Sequence, residues 1–286
     1  MTVVVKIGGA RAVDPAGALA DIAGLVQAGR DVVVVHGGST AVDETLDRLG
    51  MEPEYVETPS GVVGRFTDAE TMDVFEMVFG RLNTELVVSL QNVGVNAIGL
   101  NGADGQLLHG PRKAAIRVLE DGKRKIRRGD HSGTIESVNG ELLEGLLADG
   151  YTPVAGPPML AEETEPSTVD GENSETRYLA VNTDADRTAA AIAGALGATL
   201  VLLTDVPGIM RDADDPTTVI DRVATPEELD QLEEAAEGFM RRKVMAASEA
   251  LADGAGEVVV ADANADGPVS AALEGSGTHL FPGAVG

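Results

Sequence analysis

The sequence predicts an α/β protein built on a mainly parallel sheet, and three observations carry that expectation. Two apolar, β-branched runs near the start, Val3–Ile7 and residues 31–36, each end in a glycine pair, Gly8-Gly9 and Gly37-Gly38. A segment of helical character follows each pair, so strand, glycine turn and helix occur twice in order, the pattern of parallel strands joined by crossovers. The first run is apolar almost without a break, as a strand covered on both faces is.

The remaining elements follow along the chain. Asp14 is placed to cap a helix with Pro15 at its first position, running to about Ala28. Ser39–Leu49 reads as helix, and residues 54–66, holding Pro59 and Gly61, as irregular or hairpin-like. Residues 68–92 form a long helix, 95–100 a strand, and 106–138 hairpins with glycine turns. Residues 141–149 are helical and 151–155 a strand. Residues 162–175 are acidic and apolar-poor and read as a loop. The Ala-rich stretch 183–196 is helical and 199–203 a strong strand. Thr225-Pro226-Glu227-Glu228 opens a helix, Gly238–Ala252 is another, and 257–261 and 278–281 are the last strands. No internal repeat and no Pro/Ser-rich linker divides the chain, so residues 1–286 are expected to form one unit of two lobes, 1–175 and 176–286.

Composition narrows the function. The chain of 286 residues has a formal net charge of −26 and no cysteine. The charge argues against general nucleic-acid binding and against attachment to anionic membranes. The missing thiols exclude disulfides, thiolate metal sites and cysteine nucleophiles. Hydrophobic residues make up 43% and charged residues 24%, enough apolar surface for a core. With no signal-type stretch and no run near ~20 apolar residues, a cytoplasmic protein is expected. His36, His109, His131 and His279 are scattered without ligand spacing, so no metal cage is expected. Lysine is scarce, five against sixteen arginines, and acids are spread throughout, a balance that resembles proteins of salt-loving cells; an ordinary acidic protein is the alternative. One stretch breaks the pattern: Arg112, Lys113, Arg117, Lys123, Arg124, Lys125, Arg127 and Arg128 face only two acids, a local charge of +6.

Glycine at a strand–helix turn lets phosphate oxygens approach backbone N–H groups, and the helix N-terminus adds a favourable dipole. A single such turn is equally a tight bend with no ligand. Two in one chain, one beginning Lys6-Ile7-Gly8-Gly9, favour phosphate handling. The common nucleotide fingerprints are missing: the only Gly-Lys pair, Gly122-Lys123, has Arg117 where a P-loop needs glycine, and no G-x-G-x-x-G occurs.

Six short motifs occur in order: Lys6-x-Gly8-Gly9, His36-Gly37-Gly38, Gly64-Arg65-Phe66-Thr67-Asp68, Asn182-Thr183-Asp184-Ala185-Asp186, Leu203-Thr204-Asp205-Val206-Pro207-Gly208 and Gly238-Phe239-Met240-Arg241-Arg242-Lys243. Together they resemble the amino acid kinase family, in its acetylglutamate-kinase-like branch, over essentially the whole chain. One departure is Ser39, where many relatives carry a third glycine. The resemblance implies a three-layer α/β/α sandwich with a mainly parallel central sheet, the amino acid kinase (carbamate kinase-like) fold. The first lobe would take the acceptor and make dimer contacts, and the second would take the nucleotide. It implies transfer from ATP to a side-chain carboxylate, giving an acyl phosphate and ADP, with Mg2+ carried by the nucleotide phosphates. A carboxylate is already nucleophilic at pH 7, so no general base is needed.

By the same resemblance Lys6 and Lys243 stabilise the transferring group, and Asp186 orients them. Gly37 and Gly38 offer backbone N–H groups, Arg65 clamps the acceptor's α-carboxylate, and Asn182 hydrogen-bonds the acceptor. Gly8, Gly9, Thr204, Asp205 and Gly208 hold the nucleotide. Independently of it, Lys6 and Lys243 are the only lysines outside the basic segment. The structural alternatives are stray surface lysines, a helix-terminal Asp186, a surface ion pair for Arg65 and a helix cap for Asn182.

Residues 58–68 resemble the subgroup of LysW-aminoadipate/LysW-glutamate kinases, whose acceptor is attached through its amine to a small acidic carrier protein. The basic segment is then a dock for that carrier; a solvated face that offsets nearby acids is the alternative. An acetylglutamate kinase acting on a free acceptor, or a non-catalytic amino-acid or nucleotide sensor, would use the same scaffold. The first strand begins at residue 3, so a homodimer is expected, without the N-terminal helix of arginine-inhibited hexamers.

Overall fold

Valines fill the first strand because both of its faces are covered. In the computed structural model the described residues are 2–8, 15–59, 61, 63–120, 122–165, 175–212, 214–236 and 238–286. Gly9 and Asp14 lie outside them. The elements in order are β1 (Val3–Ile7), α1 (Pro15–Gln27), β2 (Val32–His36), α2 (Ser39–Leu49), β3 (Tyr55–Glu57), β4 (Val63–Arg65), α3 (Ala69–Asn92) and β5 (Ala97–Gly102). Then come β6 (Leu108–Glu120), β7 (Lys123–Gly133), β8 (Ser137–Val138), α4 (Gly140–Ala148), β9 (Thr152–Glu165), β10 (Glu175–Val181), α5 (Ala185–Ala195) and β11 (Thr199–Thr204). The chain finishes with β12 (Arg222–Val223), α6 (Pro226–Ala235), α7 (Gly238–Ala252), β13 (Glu257–Asp262), α8 (Pro268–Leu273) and β14 (Thr278–Leu280).

Among the described residues twelve strands form one sheet, with the path β12-β14-β13-β11-β1-β2-β9-β6-β7 and with β5 and β10 paired to β9 and β8 to β6 beside it. β1 pairs in parallel with β2 on one side and β11 on the other. Val3 and Val5 belong to the core with α1 and α8, whereas Val4 belongs to the core with α5 and α7. Alternating side chains thus fill two apolar layers, one on each face. α1 leads away from β1 to β2, while β11 arrives from much later in the chain. That reversal opens a crevice at the C-terminal ends of these three strands, where open α/β sheets hold ligands.

Most predicted elements are present, some with the same bounds, including α2 and α7. One expectation needs correction. The strand at 151–155 continues as β9 to Glu165, and Glu175 opens β10, so the ends of the acidic stretch are strand and not loop. β9 and β10 pair antiparallel with Glu163 opposite Arg177 and Glu162 opposite Tyr178. The backbone groups satisfy each other across this ribbon, so acidic side chains on its exposed face are no obstacle. Residues 166–174 lie outside the described residues.

Residues 106–138 do form a hairpin, β6 against β7, turning at Gly122 with φ of +72°. It stands at the end of the sheet path. No described helix is long and apolar enough to cross a membrane.

Candidate active site

Lys6 is the one charged residue of β1, in register with Val35 of β2 and Leu202 of β11. Alternation turns it to the same face as Val4, towards α5 and α7. There its ammonium meets the Asp186 carboxylate at 2.7 Å, and Lys6 is only 7% exposed. Asp186 stands in the first turn of α5. Asp184 is the cap of that helix, its side chain accepting from the N–H groups of Asp186 (2.9 Å) and Arg187 (3.1 Å). Asn182 is therefore free of the capping role. From α7, Lys243 donates to both oxygens of Asp186, at 3.3 and 3.2 Å.

One buried carboxylate thus serves two ammonium groups, a cluster with one net positive charge. Burial alone would raise the Asp186 carboxyl, but the two lysines hold it far below the usual carboxylate range. Burial opposes the Lys6 ammonium, and Asp186 outweighs it, so that group is raised. Lys243 is lowered by burial and by the Lys6 charge, with Asp186 compensating only in part. Asp184 lies near enough to favour both ammonium groups; positive charge held away from water is costly, and the cluster is suited to an anionic group.

The glycine pair after β2 completes this end of the crevice. The N–H of Gly37 donates to the Ile7 carbonyl at 3.3 Å. Gly38 is the N-terminal cap residue of α2, and a Cβ there would lie 2.7 Å from the Leu82 side chain and 3.0 Å from the Phe79 ring, so any larger residue must push those side chains aside. Gly8 follows β1 directly. After β11, Thr204 is buried and its hydroxyl donates to Asp205 at 3.2 Å, while Gly208 packs so closely that a Cβ would meet Thr278 and Val219 at 2.9 Å.

Arg65 ends β4 and joins a polar cluster that the sequence did not single out. Nη1 donates to Asp43 at 2.5 Å, and Nη2 donates to the Ser39 hydroxyl at 3.0 Å, the Ser39 carbonyl at 3.1 Å and Tyr55 at 2.9 Å. The Tyr55 hydroxyl in turn donates to Asp43 at 2.8 Å. Ser39, the departure from the glycine pattern, therefore brings Arg65 against the turn that begins with Gly38. Asn182 follows β10, and its side-chain amide donates to the Thr67 hydroxyl at 2.9 Å. Thr67 lies in the Gly64-to-Asp68 motif, which assigns it no role, and its partner Asp130 is unmarked in the sequence; they are 63 residues apart and only the fold joins them.

The eight cations of the basic segment do not share one surface. Arg112 pairs with Glu163 at 3.0 Å. Arg127 bonds Glu54 at 2.7 Å and Glu120 at 3.2 Å, and Lys125 bonds Glu120 at 2.8 Å. These last two share a face with Val118 and Ile116, over Phe66. Lys113 is half-buried, and burial together with Arg187 lowers its ammonium. Lys123 is exposed near the turn. On the opposite face, Ala115 with Arg128, Arg117 with Ile126 and Leu119 with Arg124 are cross-strand neighbours. Arg117, Arg124 and Arg128 are all exposed there, around an Ile126 that is 62% exposed.

Sequence comparison adds to this geometry. Residues 1–262 match the model of the amino acid kinase family. The LysW-aminoadipate kinase of Deinococcus radiodurans is 43% identical over 278 residues, covering 96% of this chain and 90% of its own. The acetylglutamate kinase of Methanopyrus kandleri is 40% identical over 279 residues, covering 96% and 98%. Among solved structures, N-acetylglutamate synthase from Neisseria gonorrhoeae, complexed with coenzyme A and N-acetyl-glutamate, superposes with a TM-score of 0.73 at 24% identity. That match covers 98% of this chain and spans 59% of the synthase chain, and it bears on the fold alone.

Proposed function

The chain belongs to the amino acid kinase family, and from that premise we propose that it is an ATP-dependent kinase acting on a carrier-bound amino acid. The acceptor is the side-chain carboxylate of glutamate and/or 2-aminoadipate, attached through its amine to a small acidic LysW-type protein, in arginine and/or lysine biosynthesis. The observation that carries the chemistry is the buried Lys6–Asp186–Lys243 cluster with its one net positive charge. The names of the relatives and the exposed Arg117, Arg124 and Arg128 support the carrier.

In this reading an acceptor carboxylate oxygen attacks the γ-phosphorus of ATP. The bond from that phosphorus to the β,γ-bridging oxygen breaks, and ADP leaves with the electron pair. Lys6 and Lys243 meet the charge on the transferring group from two sides, and Asp186 holds both ammonium groups in place. Thr204, Asp205 and Gly208, with Gly8 and Gly9, hold the nucleotide; Mg2+ arrives on its phosphates. Gly37 and Gly38 border the transferring group. Arg65, pre-oriented by Asp43 and Tyr55, takes the acceptor's α-carboxylate, and Asn182 bonds the acceptor beside it. Residues 1–175 form the acceptor lobe and 176–286 the nucleotide lobe. A homodimer fits the exposed Met77 and Val88 of α3, within the acceptor lobe. The acid-rich, lysine-poor surface fits a cytoplasm of high salt.

An ADP-release assay tests this. Carrier-linked glutamate or aminoadipate should be turned over, and Lys243→Ala should lower kcat by ~10²–10³-fold, as loss of one electrostatic donor does. ADP release that is independent of acceptor, or unaffected by Lys243→Ala, would falsify the proposal. Turnover of free acetylglutamate alone would instead favour the second reading, an acetylglutamate kinase, which the 40% identity to the Methanopyrus kandleri enzyme supports.

A further inference from the structure

One buried carboxylate has no part in the phosphoryl transfer. Asp130, near the end of β7, is fully buried. Its Oδ1 accepts from the Thr67 N–H at 3.1 Å. Its Oδ2 accepts from the Ser132 N–H at 3.2 Å and from the Ser132 hydroxyl. No lysine or arginine among the described residues bonds this carboxylate directly; Arg112 reaches only the Asp130 carbonyl, at 2.9 Å. Lys113 acts on Asp130 only through space, and a buried carboxylate whose direct donors are all neutral is an expensive way to fill space unless its acceptor oxygens fix something.

What it fixes is Thr67. That residue is itself fully buried, two positions past Arg65 and one past Phe66, which packs with Val56 and Val118. The Thr67 carbonyl accepts from His131 N–H at 2.6 Å, and the Thr67 hydroxyl accepts from the Asn182 amide at 2.9 Å. Asn182 is bonded to the same strand end through its backbone, its N–H to the His131 carbonyl at 2.7 Å and its carbonyl to Gly133 N–H at 2.9 Å. Three segments distant in sequence therefore meet at Thr67: the residues after β4, the end of β7 with Asp130, and the residue after β10.

We propose that Asp130 is a positioning residue of the acceptor site, which sets Thr67 and, through it, the Asn182 side chain and the segment that carries Arg65. This rests on the reading of Arg65 and Asn182 as acceptor contacts. Asp130 touches neither substrate; its oxygens determine where the contacts stand. An amide at 130 would turn an N–H group towards a donor and displace Thr67 or Ser132. Removal of the Thr67 hydroxyl would release the Asn182 amide while leaving Asp130 intact.

The test measures acceptor and ATP binding separately by titration calorimetry on the full chain, using carrier-linked glutamate and N-acetylglutamate as acceptor probes, with steady-state KM and kcat alongside. Asp130→Asn should weaken acceptor binding about tenfold or more, with the Kd for ATP unchanged. Thr67→Val should do the same, and Thr67→Ser, which keeps the hydroxyl, should restore binding. Thr67→Val carries the test should Asp130→Asn fail to fold, as judged by circular dichroism. Acceptor affinity unchanged in the folded variants, or ATP affinity falling in parallel, would overturn the assignment to Asp130 alone. Wild-type protein that binds ATP and neither acceptor would overturn the acceptor site together with it.

Discussion

His36 is the last residue of β2, and its surroundings keep it neutral. It is 2% exposed and stacked on Phe79 with centroids 5.6 Å apart. Nδ1 lies 3.2 Å from the Gly37 carbonyl and Nε2 lies 3.2 Å from the Asn83 amide nitrogen. One ring nitrogen therefore donates and the other accepts, which only the neutral ring can do. Burial, with the Lys6 charge adding to it, pushes the imidazole down to about 4. The unfolded chain takes up this proton near pH ~6.5, so between those values the unfolded state binds more protons. Stability contributed here is complete above ~6.5 and drains away as pH falls towards 4, by roughly 3 kcal/mol in all. Urea denaturation of wild type and His36→Gln at pH 7 and pH 4.5 should show the gap between them shrinking at the lower pH. A gap that stays constant would mean that His36 is not buried as the neutral form.

At the scale of the element, the β6–β7 hairpin separates cations that bind inward from cations that face outward. Lys125 and Arg127 are tied to Glu120 and Glu54, so charge reversal there would damage the hairpin itself. Arg117, Arg124 and Arg128 stand free of the core on the other face. Reversing these three to Glu should lower kcat/KM for the carrier-linked acceptor by at least tenfold at low salt, with KM for ATP and the melting temperature little changed. Equal kcat/KM in stopped assays of both proteins would remove the hairpin from carrier recognition. The sequence shows eight cations in seventeen positions but not this division, because it depends on the cross-strand register that sets the two faces. The same limit explains the other omissions. The glycine turns, the two lysines and most elements were legible because local patterns and composition announce them. The β9–β10 ribbon was not, since its pairing is made across the chain and its acidic side chains resemble a loop. Asp43, Tyr55 and Asp130 carry no local signal, and the motif that holds Thr67 does not say what it bonds; only folding brings Asn182 to Thr67 across 115 positions.

For the molecule as a whole, a net charge of −26 combines about −32 over most of the chain with +6 in one segment. Repulsion among the acids opposes folding and fades as the screening length shrinks. Raising KCl from about 0.1 M to about 1 M should therefore raise the midpoint of calorimetric unfolding. A midpoint that falls would argue against a salt-adapted surface. The sheet path gives the two halves of the proposed activity unequal protection. β1, which carries Lys6, has a partner strand on each side and a helical layer over each face, whereas β7 has only β6 beside it in the path. Terminal strands open at far lower free energy than central ones, so amide exchange should be fast at the turn end of the hairpin, over residues 117–120 and 123–128, and slowest around Lys6. Fluctuations that loosen the turn end of the hairpin, the proposed dock, would leave the phosphoryl-transfer centre and the Asp130 end of β7 assembled. A warmed or mildly denatured enzyme would then lose its selectivity for carried over free acceptors before it loses the capacity for chemistry.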